Sequence, residues 1–277
     1  MRLSKVMRFG KELFTRFGED DIPGMAAQLA YFFLLSLFPF IIFLITLLSY
    51  MNIQEGRVLD FISTYAPPQT YEMISENVTE LLNQQNGGLL SVGIIGTLWA
   101  ASNGVKALMR AFNRAHNVEE SRSFFVGRLT AIVLTIAMVF VIGIAFLLPV
   151  LGHSISTFVY SFFDVSGNFI FLWDILRWVI SSVIFFIVLS FLYLMAPNKP
   201  LKINEITIGA IFATIGWQLV SLLFSYYVSS MGNYSATYGS LGGVIVLMIW
   251  FYLSGVVIIL GGEINAVILK WRESSGK

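Results

Sequence analysis

Residues 26–50 read AAQLAYFFLLSLFPFIIFLITLLSY, a run with no charged side chain. A helix rising about 1.5 Å per residue needs about 20 apolar residues to cross roughly 30 Å of hydrocarbon. The run is long enough to span a membrane and too long for the core of a signal peptide, so it reads as a retained helix. Five further runs of this kind follow, at Leu89–Ala111, Val126–Leu151, Ile170–Ala196, Ile206–Val228 and Leu241–Leu269. The pattern predicts an all-α polytopic membrane protein, six transmembrane helices forming one membrane domain over residues 1–277.

The charges between the runs give the chain a direction. Arg2, Lys5, Arg8, Lys11 and Arg16 precede the first run; Lys106, Arg110, Arg114, Arg122 and Arg128 surround the second connection. Lys199 and Lys202 lie between the fourth and fifth runs, and Lys270, Arg272 and Lys277 follow the last. Of the 17 Lys and Arg residues, only Arg57 and Arg177 fall in the alternate gaps. By the positive-inside bias, both chain ends are expected in the cytoplasm. The formal net charge of +1 conceals this asymmetry, because Glu55, Asp60, Glu72, Glu76 and Glu80 make the first external connection acidic.

Composition removes several classes of activity. A chain that is 57% hydrophobic and 12% charged suits a membrane bundle rather than a soluble enzyme. There is no cysteine, and His116 and His153 fall on opposite faces in this topology, so no metal site is expected. Neither a glycine-rich phosphate loop nor a GxSxG elbow is present, and no cofactor or catalytic set is expected. The basic face carries no aromatic-interleaved nucleic-acid motif, which leaves anionic lipid headgroups as the expected partners and no nucleic acid.

Outside the runs, Val6, Phe9, Leu13 and Phe17 recur at helical spacing among basic residues, predicting an interfacial helix over residues 1–22. Residues 51–88 read as an external cap of two amphipathic helices broken at Pro67-Pro68. Pro39 should kink the first span. Gly239 and Gly243 form a GxxxG pair that permits close packing within the chain or in a homo-oligomer.

Polar residues inside apolar runs mark the candidate site. Glu263 lies in Gly261-Gly262-Glu263-Ile264-Asn265, about 12 Å along the helix from Trp271, where an acid must be paired, protonated or wetted. Asn103, Lys106, Arg110 and Asn113 share one face of the second span at spacings of three and four. If Trp99 and Trp250 lie at equal depth, Arg110 is level with Gly261, which makes Lys106 and Arg110 the expected charge partners of Glu263. Thr214, Gln218, Ser221 and Ser225 form a polar stripe on the fifth span, either lining a path or bonding to neighbouring helices. The expected substrate- or ion-binding set is therefore Glu263, Asn265, Lys106, Arg110, Asn103, Gln218 and Ser221.

Three segments together resemble the YihY/BrkB family. They are Gly24-Met-Ala-Ala-Gln-Leu-Ala-Tyr31 leading into Leu34-Leu-Ser-Leu-Phe-Pro39, Ala196-Pro197-Asn198, and Tyr238-Gly-Ser-Leu-Gly242 running through Trp250 to Gly262-Glu263-Ile264-Asn265-Ala266. Gly262 stands where the family pattern often has alanine. The resemblance implies a bacterial inner-membrane protein, formerly labelled a ribonuclease, associated with virulence and envelope integrity. The lack of paired catalytic groups points away from an enzyme, and the basic inner face, the kinked first helix, the polar stripe of the fifth span and Glu263 point towards a transporter or flippase-like protein for a lipid or other amphiphile. The alternative is a non-transporting scaffold for envelope assembly.

Overall fold

The computed structural model describes residues 2–50, 86–139, 168–230 and 241–275, with positions 56, 58–60, 75, 78–80 and 82 between the first two stretches. Its long elements are all helices: α1 (Arg2–Glu19), α2 (Ile22–Tyr50), α3 (Gly87–Ala115), α4 (Phe124–Val139), α5 (Asn168–Met195), α6 (Ile203–Ser230) and α7 (Leu241–Ser275). Five are long and apolar enough to cross a membrane among the described residues: α2, α3, α6, α7 and the Trp178–Met195 part of α5. The third expected span is described only over its first half, as α4. Most of the expected cap at 51–88 lies outside the described residues, as does Gly239.

Local chemistry sets the helix ends, several of them a turn beyond the apolar runs. Asp21 adopts a left-handed φ of 52° between α1 and α2. Its carboxylate then caps α2 by accepting the Gly24 N–H at 3.3 Å, and a side chain on Gly24 would collide with that carboxylate. Asn86 caps α3 through the Leu89 N–H at 3.1 Å. At the other end of α3, Asn117 also takes a φ of 52°, and the Val118 N–H returns to the Asn113 carbonyl, a left-handed helix stop. Glu205 reaches back to the Lys202 N–H at 2.7 Å, as an N-terminal capping residue does, so α6 begins at Ile203.

Glycines allow the spans to pack closely. α2 and α3 form the most extensive helix pair. A Cβ on Gly93 would come within 2.9 Å of the Phe43 backbone, and one on Gly96 within 3.2 Å of the Pro39 ring. Pro39 thus sits against a helix that leaves room for it. α6 and α7 cross antiparallel through Gly209, Ala213 and Gly216 on one side and Asn265, Gly261 and Val257 on the other. Gly243 faces open space within the chain.

The four basic segments meet at one end of the bundle. Lys270 of α7 contacts Glu12 of α1 at 3.0 Å, and Arg114 of α3 contacts Asp20 at 3.8 Å. Lys199 faces Glu273 at 3.7 Å, while Arg122 donates to the carbonyls of Met195, Ala196 and Pro197 at the C-terminus of α5. These are the segments that the charge alternation assigns to one side of the membrane. The packed core lies in the half of the bundle next to this end, around Leu29, Leu108, Phe112, Leu192, Tyr193 and Ile259.

Candidate functional site

α7 carries Glu263 into the core, where it has no exposed surface. A carboxylate in such a place needs a cation or a proton, because its hydration has been removed. Arg16 of α1 supplies the cation: its Nη1 donates to Glu263 Oε2 at 3.2 Å and to the Ala115 carbonyl at 2.9 Å. One guanidinium therefore ties the N-terminal helix to the end of α3 and the interior of α7. Arg16 is only 8% exposed, so the pair is shielded from water and the loss of either partner would leave a buried charge.

α1 reaches this point because two helical repeats coincide on it. Phe9 packs edge-on against Trp271 at 5.6 Å, and Phe17 packs on the core. Glu12, Arg16 and Asp20, each four residues apart, run along the same side. Glu12 lies 3.9 Å from Arg16 Nε and Asp20 lies 4.0 Å from its Nη1. Burial pushes the Glu12 carboxyl up, but hydrogen bonds from Lys270 and from the Trp271 indole outweigh it, leaving Glu12 below the usual carboxylate range. At Asp20 burial prevails, and Arg16 and Arg114 offset only part of it, so its carboxyl sits above that range.

Arg16 Nη1 lies 4.0 Å from Asp20 Oδ2 and 3.2 Å from Glu263 Oε2, which brings the two carboxyls to one nitrogen. Glu263 Oε1 is buried and has no donor. A proton on either acid would lessen the repulsion between them. Arg16 and Asp20 also line a cavity of about 460 Å³ that opens among Lys11, Thr15, Glu19 and Asn117 at the basic end. Glu263 does not line this cavity and lies behind Arg16.

The structure distributes the other expected site residues over two further places. Lys106 and Arg110 do not partner Glu263: Lys106 lies 5.0 Å from the Phe124 ring centre, and Arg110 donates to Gln28 at 2.9 Å. The expected depth is close, since Gly262 lies against Phe112, but Lys106 and Arg110 turn to other neighbours of α3. Asn103 accepts from Arg128 at 2.5 Å, on the same flank as Lys106. Asn265 accepts the Gly209 N–H at 2.7 Å, and its own amide nitrogen is buried without a partner. Gln218 donates to Ser182 at 2.6 Å, and Ser221 accepts from Trp250 at 3.3 Å. These last two bonds point in different directions, to α5 and to α7, whereas Thr214 of the same stripe donates to the Ala210 carbonyl within α6.

Asn113, expected on the basic stripe, instead belongs to a connector. It accepts the Asn198 N–H at 2.6 Å and donates to Glu120 at 2.9 Å, joining the α3–α4 and α5–α6 connections. Arg16, Asp20 and Glu12 were absent from the expected set. Their four-residue spacing on α1 is visible in the sequence but does not say which helix they face. Among the described residues no three of His, Cys, Asp and Glu converge as metal ligands.

Comparison with known proteins gives a consistent result. The family described as Virulence factor BrkB matches residues 13–277. A ribonuclease-like protein, YfkH, of Bacillus subtilis (strain 168) is 53% identical over 267 residues, covering 96% of this chain and 97% of its own. A UPF0761 membrane protein of Aggregatibacter aphrophilus (strain NJ8700) is 24% identical over 93% of this chain and 90% of its own. Another, from Vibrio vulnificus (strain YJ016), is 26% identical over 94% of this chain and 82% of its own. No solved structure matches the chain.

Proposed function

This chain belongs to the Virulence factor BrkB family of membrane proteins, and we propose that it is a transporter or flippase-like protein that moves a lipid or other amphiphile across a bacterial cytoplasmic membrane. One observation carries the reading: a fully buried acid, Glu263, in a membrane-spanning helix is held by a guanidinium from α1, a helix outside the spans. Ionisable groups at such depth are costly and serve ion or substrate movement more often than packing.

The arrangement supplies a two-state element. With Arg16 in place, α1 closes the basic end over Glu263. A proton entering the Asp20–Glu263 pair, or a substrate ammonium competing for the carboxylate, weakens the hold of Arg16 and frees α1 to move. Positive-inside placement puts this gate at the cytoplasmic face. The chain carries no phosphate-binding loop, so the driving force in this reading is an ion gradient or the lipid gradient itself.

The test is translocation of fluorescent phospholipid in proteoliposomes of the purified protein. Accelerated movement relative to protein-free vesicles is expected. No acceleration for lipids of any headgroup class, with the protein folded, would favour the scaffold reading, which would then have to rest on the segment at 51–88.

A further inference from the structure

Lys106, Arg110 and Arg128 stand together on the outer flank between α3 and α4, away from Glu263. Asn103, which Arg128 contacts, recurs with Lys106 and Arg110 at three- and four-residue spacing on one face of α3, and Lys106 lies over the Phe124 ring of α4. Among the described residues, none of the three is paired with a carboxylate, whereas Arg16, Arg114, Arg122, Lys199 and Lys270 each face one.

Arg128 is the most constrained of the group. It is 8% exposed, with its guanidinium 3.7 Å above the Trp99 ring. Nη1 donates to Asn103 and Nη2 donates to the Trp99 carbonyl at 3.1 Å. The remaining donor, Nε, is buried with no acceptor. A buried cation with an unused donor beside two more cations is an incomplete anion site.

The surroundings identify the form of the anion. Arg110 and Lys106 lie about 8 and 14 Å along α3 from its end at Ala115, and Arg128 about 6 Å into α4, all near the basic end of the bundle. Phe124 and Phe125 are exposed beside them, as aromatic side chains are at a membrane interface. From there Ile95 and Trp99 of α3 and Leu129 and Val133 of α4 form an exposed apolar strip leading away from the cations.

We infer that this flank binds an anionic phospholipid, its phosphate among Lys106, Arg110 and Arg128 and its acyl chains along the strip between α3 and α4. The site stands apart from the Arg16–Glu263 gate and does not require that the protein move lipid. A second phosphate on the same lipid, or a glycerol headgroup, would occupy the same cations, whereas a choline headgroup would bring a positive charge against them.

The test uses the full chain in uncharged detergent micelles, titrated with short-chain phosphatidylglycerol and, separately, with phosphatidylcholine, glycerol phosphate and inorganic phosphate. Phosphatidylglycerol should bind in preference to the other three. Lys106→Gln/Arg110→Gln should weaken its binding about thirty-fold, equivalent to about 2 kcal/mol at 1.4 kcal/mol per tenfold. Binding of phosphatidylcholine should not change. If the double variant does not fold, Arg110→Gln alone, at an exposed position, should weaken binding about fivefold. Equal binding of phosphatidylglycerol and phosphatidylcholine, or unchanged binding in these variants, would overturn the site. Inorganic phosphate binding as tightly as the lipid would assign the cations to a free anion and overturn the lipid assignment.

Discussion

The Arg16–Glu263 pair is the residue on which the account turns, and its energetics are testable without knowing any substrate. Removing one member of a buried pair exposes the other to the full cost of its lost hydration, about 3–5 kcal/mol. Arg16→Ala should therefore lower the thermal midpoint in detergent strongly, and Glu263→Gln less so, because glutamine can still accept from Arg16. The double variant Arg16→Leu/Glu263→Leu should recover most of the loss, and strictly additive losses would show that the two side chains are not coupled. His116, at the end of α3, offers a pH readout outside the spans. Burial, then the charges of Lys199 and Arg16, push its imidazole down to about 4 from 6.5. The unfolded chain therefore takes up a proton below pH 6.5 that the folded chain refuses, and stability falls as pH drops, by at most about 1.4 kcal/mol per unit. Between pH 6.5 and 5 the wild type should lose about 1–2 kcal/mol relative to His116→Asn. Parallel melting curves for the two proteins would remove that role from His116. Glu263 was legible in the sequence because an acid in an apolar run stands out. Arg16 was not, because its burial depends on α1 folding back against α7, a long-range contact that spacing along α1 cannot specify.

At the scale of elements, glycines determine how closely the spans approach. Gly209 and Gly261 lie where α6 meets α7, and a Cβ on Gly261 would strike the Tyr193 hydroxyl, which is itself committed to the Ile258 carbonyl at 2.7 Å. Gly261→Ala should cost about 1–3 kcal/mol and displace α5 or α6, read as a lower melting point and faster proteolysis. Gly243→Ala, facing open space in the chain, should be nearly neutral in a monomer. A large effect there would point to packing between copies. The sequence predicted the helices well because hydropathy alone decides which segments cross a bilayer. It placed their ends less well: α2 begins at Ile22 rather than residue 26, and α3 continues to Ala115 rather than 111. Those ends depend on Asp21 and Asn117 entering left-handed backbone, a choice made by single residues and invisible to periodicity.

For the whole molecule, the contacts among Glu12, Lys270, Arg114, Asp20 and the α5–α6 connection gather the basic segments at one end. That arrangement depends on charge alternation, which the sequence displays openly. What it could not display was how cations divide between paired positions at the gate and unpaired ones on the α3–α4 flank, because neighbours across helices make that division. The chain contains no cysteine, so single cysteines can report sidedness cleanly. Ser121→Cys and Ser274→Cys should react with an impermeant thiol reagent only when the cytoplasmic side is open, and Gly56→Cys from the opposite side. Labelling of all three from one side would break the topology, and exchange of the two sides would invert it. The most direct test of the central claim is the initial rate of phospholipid translocation in proteoliposomes for wild type and Glu263→Gln, both confirmed as folded. Rapid movement is expected for wild type and a rate near that of protein-free vesicles for Glu263→Gln, whose neutral side chain cannot alternate between holding and releasing Arg16; equal, accelerated rates in the two proteins would contradict this role.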